Sequence, residues 1–407
     1  MLRLLHTADV HLGARHADLG DRAAAQRERQ FAAFVATIDL AIAEGVDLVL
    51  IGGDLFDSNV QPRRSVERVA GQLRRLVDAR IRTVITPGTH DVYDGASIYR
   101  SYDLPEMAGA ADSAFVTVLT PDAADVYFAP LDVVVHGQPF ATKRAPHSPL
   151  RGLDAARDTR ATWHVGLLHA AVAIPGQTDG DEVVVTTTEI GASHLDYLAL
   201  GHWHSFSQGK IAGTAYAYSG APEPVALDQD RAGQVLFVTL DQPDGGKHVD
   251  IAPRQVGRTR FERLDVDAAT LASQPALVEA LVGRADLDLV LDVRLIGVRP
   301  DQLDLEIDEV ERELEDRFMR LKVRDRSIAS LTAGPIPPPD TVLGAFIRDL
   351  EARIAEVEAA AEAGAAEEGI TADPADAGLI LSDGQATELR DALRLGRLLL
   401  AGEEVTL

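Results

Sequence analysis

The 407-residue chain contains no cysteine. Disulfides, thiolate metal sites and cysteine nucleophiles are excluded, and the composition is compatible with a reducing compartment. Lysine is almost absent too, with four residues, at positions 143, 210, 247 and 322, among 39 basic ones. Arginine in its place, beside abundant Ala, Asp and Glu, reads as genome-composition bias or salt adaptation, and neither bears on chemistry. No run of about 18 apolar residues occurs, so no membrane span is expected. The opening MLRLLHTADVHLG lacks a basic segment followed by a long apolar one. No secretory signal is read from it, and a cytoplasmic location is expected. Internal repeats are also lacking.

The balance of charge is acidic, −25 overall. Taken whole, that argues against a nucleic-acid partner. Its distribution weakens the objection. Residues 1–170 hold 18 Lys and Arg against 21 Asp and Glu, so the acidity is concentrated after residue 170. A hydrophobic share of 46% over this length fits a globular protein with a sizeable core and two or three domains.

Through about residue 255, short apolar runs alternate with helical patterns. Leu2–Leu5, Leu48–Ile51, Val84–Ile85, Val133–Val135, Val165–Leu168 and Leu198–Leu200 read as buried strands. Gln26–Ala43 and Ser65–Val77 carry apolar residues at helical spacing. This is an α/β pattern. Residues 256–333 read as a smaller α+β unit, with strands at Phe261–Val266 and Leu287–Val293 and helices at Leu271–Leu281 and Val310–Phe318. Proline-rich residues 334–340 form a linker. In 341–407, Leu343, Ile347, Leu350, Ile354 and Val357 make one apolar helical stripe, suited to a partner. Ala359–Gly369 reads as solvated or mobile, and Thr387–Leu400 as a second helix.

Five blocks carry the chemistry, each at or just beyond the end of an apolar run: Asp9-Val-His11, Gly52-Gly-Asp54, Gly88-Thr-His-Asp91, Leu167-Leu-His169 and Gly201-His-Trp-His204. In open α/β sheets ligands gather beyond the carboxyl ends of strands, so these blocks can converge on one edge. Asp-x-His at a strand end presents both side chains on one side, because side chains alternate with period two. Two glycines before Asp54 allow a sharp turn and a close backbone approach, and a carboxylate can bridge two cations. His202 and His204 share the i, i+2 relation, and each can serve a different ion. A mixed imidazole and carboxylate set suits Mn²⁺, Fe²⁺ or Zn²⁺ better than Mg²⁺ or Ca²⁺. Two such cations clamp a phosphoryl group and acidify water, while a nearby imidazole assists the leaving oxygen. His90 is placed for that role, with Asp91 to orient it.

The blocks, in this order, resemble the calcineurin-like metallophosphoesterases. HTADVHLG, GGDLFD, LDYLALGHWH and AYSGAPEP narrow the resemblance to the SbcD-type DNA repair nucleases, over roughly residues 1–225. The resemblance implies a two-sheet sandwich flanked by helices, a small capping domain and a helical tail. It implies a nuclease acting on duplex DNA ends in double-strand-break repair, with two divalent ions, most naturally Mn²⁺. A homodimer and an SbcC-like SMC-type ATPase partner are implied as well. Asp9, His11, Asp54 and His204 would hold the first metal. Asp54, the residue at 89, His169 and His202 would hold the second, with His90 the catalytic imidazole. One position departs: the family reads GNHD, and here Thr89 replaces the asparagine. A threonine hydroxyl is shorter and a poorer neutral ligand, so weaker occupancy of the second site is expected.

Plainer readings stand beside these. A histidine ending an apolar run, such as His169, is often a satisfied core residue. His6, in the same strand as the first block, reads as a support behind the ligands or at least equally as a buried, hydrogen-bonded histidine. His16, His136, His147, His164, His194 and His248 match no motif, and Asp57 reads as a cap of the following segment. Lys143, Arg144, Arg151, Arg157 and Arg160 either track a phosphate backbone or belong to an ordinary solvated loop. Arg63, Arg64, Arg68, Arg74 and Arg75 read as a solvated or subunit-interface face. Rival functions are a same-fold enzyme acting on a small phosphoester or cyclic nucleotide, and a scaffold whose altered Gly88–Asp91 block has lost catalysis.

Overall fold

In the computed structural model, the described residues are 1–111, 115–173, 183–224, 229, 231–300, 303–329 and 337–367, with isolated positions between 389 and 400. Apart from those positions, the expected helix at Thr387–Leu400 lies outside them, as does the first part of the proline-rich linker. The chain divides into two compact units. One comprises Met1–Glu262 with Asp288–Val290, the other Arg263–Leu287 with Leu291–Leu407. No helix among the described residues is long and apolar enough to cross a membrane.

In chain order the first unit contains β1 (Leu2–Thr7), α1 (Ala23–Glu44), β2 (Leu48–Ile51), α2 (Arg63–Asp78), β3 (Arg82–Ile85), α3 (Ile98–Ser101), α4 (Leu104–Met107), β4 (Val116–Val118), β5 (Asp125–Phe128), β6 (Val133–His136) and β7 (Trp163–His169). It continues with β8 (Ala171–Val172), β9 (Val184–Val185), α5 (Thr187–Ala192), β10 (Tyr197–Gly201), β11 (Ser207–Ile211), β12 (Thr214–Tyr218), β13 (Gln234–Asp241) and β14 (His248–Gln255). Two six-stranded sheets result, ordered β14-β13-β1-β2-β3-β4 and β11-β12-β10-β7-β6-β5. In the first, β1 to β4 run parallel and β13 and β14 are antiparallel. In the second, β12, β10, β7 and β6 are parallel between antiparallel edges.

The apolar runs explain this arrangement. Leu4, Leu48, Leu50 and Val84 of one sheet pack on Val133, Val135, Val165, Leu167, Tyr197 and Ala199 of the other. On the opposite face Leu5, Val49, Ile51 and Ile85 meet Phe34, Ile38 and Ala41 of α1 and Val66, Val69, Leu73 and Leu76 of α2. Strands buried on both faces must be apolar throughout, which is why they read as runs rather than alternations. The outer face of the second sheet, with Leu168, Leu198 and Leu200, is covered by Leu150, Ala155 and Ile190.

Four of the five arginines of α2 find partners within the chain. Arg63 pairs with Glu67, Arg68 forks onto Glu28, Arg75 meets Asp39, and Arg74 donates to the Met107 carbonyl.

The second unit holds a three-stranded sheet of β15 (Arg260–Asp267), β16 (Asp286–Ile296) and β18 (Phe318–Asp325), with α6 (Gln274–Val282), β17 (Val298–Arg299), α7 (Ile307–Leu314), β19 (Ile328–Ala329) and α8 (Val342–Glu367). Two expectations change here. The helix expected over Val310–Phe318 ends at Leu314, and Phe318 opens a strand instead. From Met319 on, Met319, Leu321 and Val323 are buried while Arg320, Lys322 and Arg324 are only half-buried, so period-two alternation takes over after the polar Glu315–Arg317 turn. The Ala/Glu run after Ala359 is helical through Glu367, consistent with the high helix propensity of both residues. Of the apolar stripe on α8, Ile347 and Leu350 are buried, while Leu343, Ile354 and Val357 are half-buried.

Candidate metal centre

All five blocks arrive at one edge of the sandwich. Asp9 and His11 follow β1, Gly52–Asp54 follows β2, and Gly88–Asp91 follows β3. His169 ends β7, directly beside Gly201 at the end of β10, and His202 and His204 come next. Beyond the strands the pairing continues through loop backbone. Asp9, His11 and Leu12 donate N–H bonds to the carbonyls of Gly53, Asp54 and Leu55 at 3.1, 2.9 and 3.0 Å. A Cβ on Gly201 would run into the Gly52 carbonyl, and one on Gly53 into the His169 ring. These glycines let the two sheets approach backbone to backbone beneath the site.

The backbone carries strain at the same place. Asp9, His11, Asp54 and His202 have φ of 54°, 48°, 51° and 103°. Non-glycine residues in such conformations cost roughly 1–3 kcal/mol each and cluster at functional sites.

The side chains meet closely. Asp54 Oδ2 lies 3.2 Å from His169 Nε2, 3.4 Å from the Thr89 hydroxyl and 3.8 Å from His11 Nε2. Its Oδ1 accepts the His90 N–H at 2.7 Å. Asp9 accepts the His202 N–H at 3.0 Å and stands 3.9 Å from His204 Nε2 and 4.0 Å from His169 Nδ1. His11 Nε2 and His204 Nε2 face each other at 3.1 Å. Two groups of metal-capable atoms overlap at Asp9: Asp9, His11 and His204, and Asp9, Asp54 and His169.

Partners outside the cluster turn the rings. His169 Nδ1 donates to the Gly52 carbonyl at 2.9 Å, which leaves Nε2 buried, without a well-directed hydrogen bond, toward Asp54. Asp57 stands 3.3 Å from His11 Nδ1, and the Gln229 amide 2.6 Å from His204 Nδ1. Buried imidazole nitrogens aimed at each other and at carboxylates, and held by outer contacts, suit divalent cations.

The electrostatics agree. Burial, with help from the Asp54 charge, raises Asp9 to about 6. Burial opposes a charged His169, yet Asp54 and Asp9 raise it to about 10. Asp54 is also buried, but His169, His11 and His90 hold its carboxyl well below the usual range. Burial, reinforced by neighbouring imidazoles, lowers His202 to about 4 and His204 to about 3. Two neutral imidazoles therefore stand beside a protonated His169 and an ionised Asp54, and the His169 proton must leave when a cation enters.

The His90 ring is about half exposed, at 47%, and its Nδ1 donates to the Asp57 carbonyl at 3.0 Å. Asp91 does not orient that ring. Its buried carboxylate accepts from the Gly88 N–H (2.7 Å), the Phe56 N–H (3.1 Å) and the Tyr99 hydroxyl (2.6 Å), and so fixes the turn that carries His90. Asp57 is not a helix cap, because α2 begins at Arg63 behind Pro62. Arg157 pairs with Asp154, and Arg160 with Asp158 and Asp125, so their charge is met locally. Lys143, Arg144 and Arg151 are exposed. His136 and His164 bond to each other at 3.1 Å, and His6 bonds to Tyr197 at 2.8 Å. Asp57, Gln229 and Tyr99 carry no ligand signature. Only the place of Asp57 in GGDLFD, three residues after Asp54, offers a hint in the sequence.

A doubly covered two-sheet sandwich with a histidine and aspartate cluster at its strand ends defines a metallophosphoesterase. The chain belongs to the calcineurin-like phosphoesterase family, whose profile matches residues 2–206. It is 30% identical over 278 residues to the DNA double-strand break repair protein Mre11 of Aeropyrum pernix, a match covering 66% of this chain and 64% of that protein. It is 28% identical to the Mre11 protein of Halobacterium salinarum, over 80% of this chain and 78% of that one. A subunit of the nuclease SbcCD of Rhodobacter capsulatus is 27% identical over 69% of this chain and 75% of its own length. The chain thus spans somewhat less than two thirds of the first of these relatives.

Proposed function

We propose that the protein is a metal-dependent DNA nuclease that hydrolyses phosphodiester bonds at duplex ends in double-strand-break repair. The observation that carries this reading is the convergence of Asp9, His11, Asp54, His169 and His204, with the His202 ring edge-on to His169 and His90 half exposed beside His11. The names of the relatives support the choice of DNA as substrate. Asp9, His11, Asp54 and His204 would hold one cation, and Asp54, Thr89, His169 and His202 the other. Asp54 suits the shared position because one of its oxygens faces both His11 and His169. Two divalent ions, best Mn²⁺ for this donor set, would supply Lewis acidity toward phosphoryl oxygen and water when bound.

The chain's own groups do the rest. His90 Nδ1 is committed to the Asp57 carbonyl, so Nε2 is the atom that faces the scissile group and hands a proton to the leaving oxygen. The Asp91 carboxylate and the Asp54–His90 backbone bond hold the turn that carries His90. Lys143, Arg144 and Arg151 are the exposed cations suited to tracking a phosphate backbone. The half-buried part of the α8 stripe, Leu343, Ile354 and Val357, is the surface proposed for an SMC-type ATPase partner, and α2 for homodimer contact.

Mn²⁺-dependent digestion of end-labelled duplex DNA tests the reading, with His90→Ala and Asp54→Asn as controls. Cleavage lost in both variants supports it. Undiminished cleavage by either, or activity confined to small phosphodiesters, overturns it.

A further inference from the structure

Beside the metal-capable cluster lies a cavity of about 430 Å³. Its walls are His202, Trp203, His204, Ser205, Phe206 and Ser207, with Gln229, which also holds His204. Trp203 stacks on Tyr218 with ring centroids 4.6 Å apart and planes 21° from parallel. Tyr218 is fully buried and fixed at its hydroxyl, which donates to the Ala170 carbonyl and accepts the Val172 N–H, both at 2.8 Å. The indole therefore rests on a rigid base while it lines an open space. Phe206 forms a second aromatic wall, anchored through its N–H to the Arg231 carbonyl at 3.1 Å. Arg231 itself is exposed.

We infer that this cavity is a nucleobase site, with Trp203 as the stacking platform for a base of the strand whose phosphate lies at the metal centre. The inference rests on the nuclease reading and adds a determinant of substrate class. Trp203 lies between His202 and His204 in the chain, so the platform starts one residue from each of two proposed ligands. In a nucleic acid the base and the phosphate of one nucleotide are separated by a single sugar. A flat apolar wall at the edge of a phosphate-binding cluster matches that spacing, whereas a simple phosphomonoester has nothing to place there. Aromatic faces accept any base by stacking, so the site favours nucleic acid over small phosphoesters without selecting a sequence.

Trp203 is also its own reporter. The chain has two tryptophans, and the other, Trp163, is buried under Lys247 at the far end of β7. Trp163→Phe leaves Trp203 as the single emitter. A phosphorothioate thymidine oligonucleotide is titrated in Mg²⁺, which does not quench indole, against the same backbone with abasic residues. Quenching by the base-bearing strand alone is the expected result. In DNA cleavage, Trp203→Ala should raise KM on the order of tenfold with kcat little changed, and Trp203→Phe should recover most of the loss.

Equal quenching by the abasic strand, or no quenching while Mn²⁺-dependent DNA cleavage is intact, overturns the platform. Base-dependent quenching in a protein that cleaves no DNA supports the platform and sinks the nuclease reading, so the two fail separately.

Discussion

The Nε2 atoms of His11 and His204 stand 3.1 Å apart at the head of two strands from different sheets. Asp57 engages the other nitrogen of His11 at 3.3 Å, so the His11 lone pair is turned toward its neighbour. The Gln229 amide stands 2.6 Å from His204 Nδ1, so the proton of a neutral His204 sits on Nε2 and bridges to His11 Nε2. A cation held by both rings takes the place of that proton, and one that binds only the folded chain stabilises it. Mn²⁺ added to chelator-treated protein should raise Tm by several degrees at concentrations well above Kd, since about 3–4 kcal/mol of linkage is available at 100 to 1,000 times Kd. His204→Ala should remove most of that rise. A metal-independent melting curve for the native chain would contradict the assignment.

Thr89 gives a second test. Its hydroxyl reaches Asp54 Oδ2 at 3.4 Å, a long contact to the carboxylate proposed to bridge the ions. An asparagine at this position extends further and offers an amide oxygen. Thr89→Asn should therefore tighten binding of the second Mn²⁺, on the order of tenfold, with the first little changed. Isothermal titration resolves the two steps. Identical isotherms for the variant and the native chain would remove Thr89 from the ligand set.

Much of the centre is legible in the sequence because a buried strand announces itself as an apolar run, and a ligand at its end is the first polar residue after it. Asp54 and His169 are of this kind. Asp57 and Gln229 are not, because each acts only by touching a ring brought from elsewhere in the chain, His11 and His204 respectively. Asp91 misled for a related reason: adjacency to His90 suggested that it orients the ring, while the turn sends its carboxylate back to Gly88 and Phe56. Edge strands were also poorly marked. Ser207–Ile211 is half-exposed and carries Gly209 and Lys210, so neither an apolar run nor a clean alternation shows.

Metal affinity should rise steeply with pH. Asp9 is raised to about 6 by burial, so below pH 6 it holds a proton that a cation must displace. His169 is raised to about 10 by Asp54 and Asp9, so its proton must leave at any pH below that value. Both groups bind protons in the free state and lose them on binding, so affinity falls as pH falls, with the steeper slope below pH 6. Titrations at pH 5.5 and 7.5, in buffers of different ionisation enthalpy, measure the protons released. Metal uptake with no net proton release across this range would contradict the charge pattern described for Asp9 and His169.

The Tyr99–Asp91 bond supplies a test of positioning. At 2.6 Å it joins a fully buried carboxylate to a phenol on α3, and burial raises the pKa of both groups. Tyr99→Phe removes a charge-assisted hydrogen bond of about 1.5–3 kcal/mol and leaves Asp91 with only its two backbone donors. Global stability should fall by an amount of that order in urea denaturation. The more specific consequence concerns His90, whose turn is tied at Gly88 to the same carboxylate. Because Tyr99 touches none of the proposed ligands, metal stoichiometry should stay unchanged while kcat for DNA cleavage drops and KM moves little. Asp91→Asn should go further, since an amide cannot accept from Gly88, Phe56 and Tyr99 as a carboxylate does. A Tyr99→Phe variant that loses stability but keeps full kcat would show that Asp91 serves folding alone and that His90 is held by its own bonds to Asp54 and Asp57.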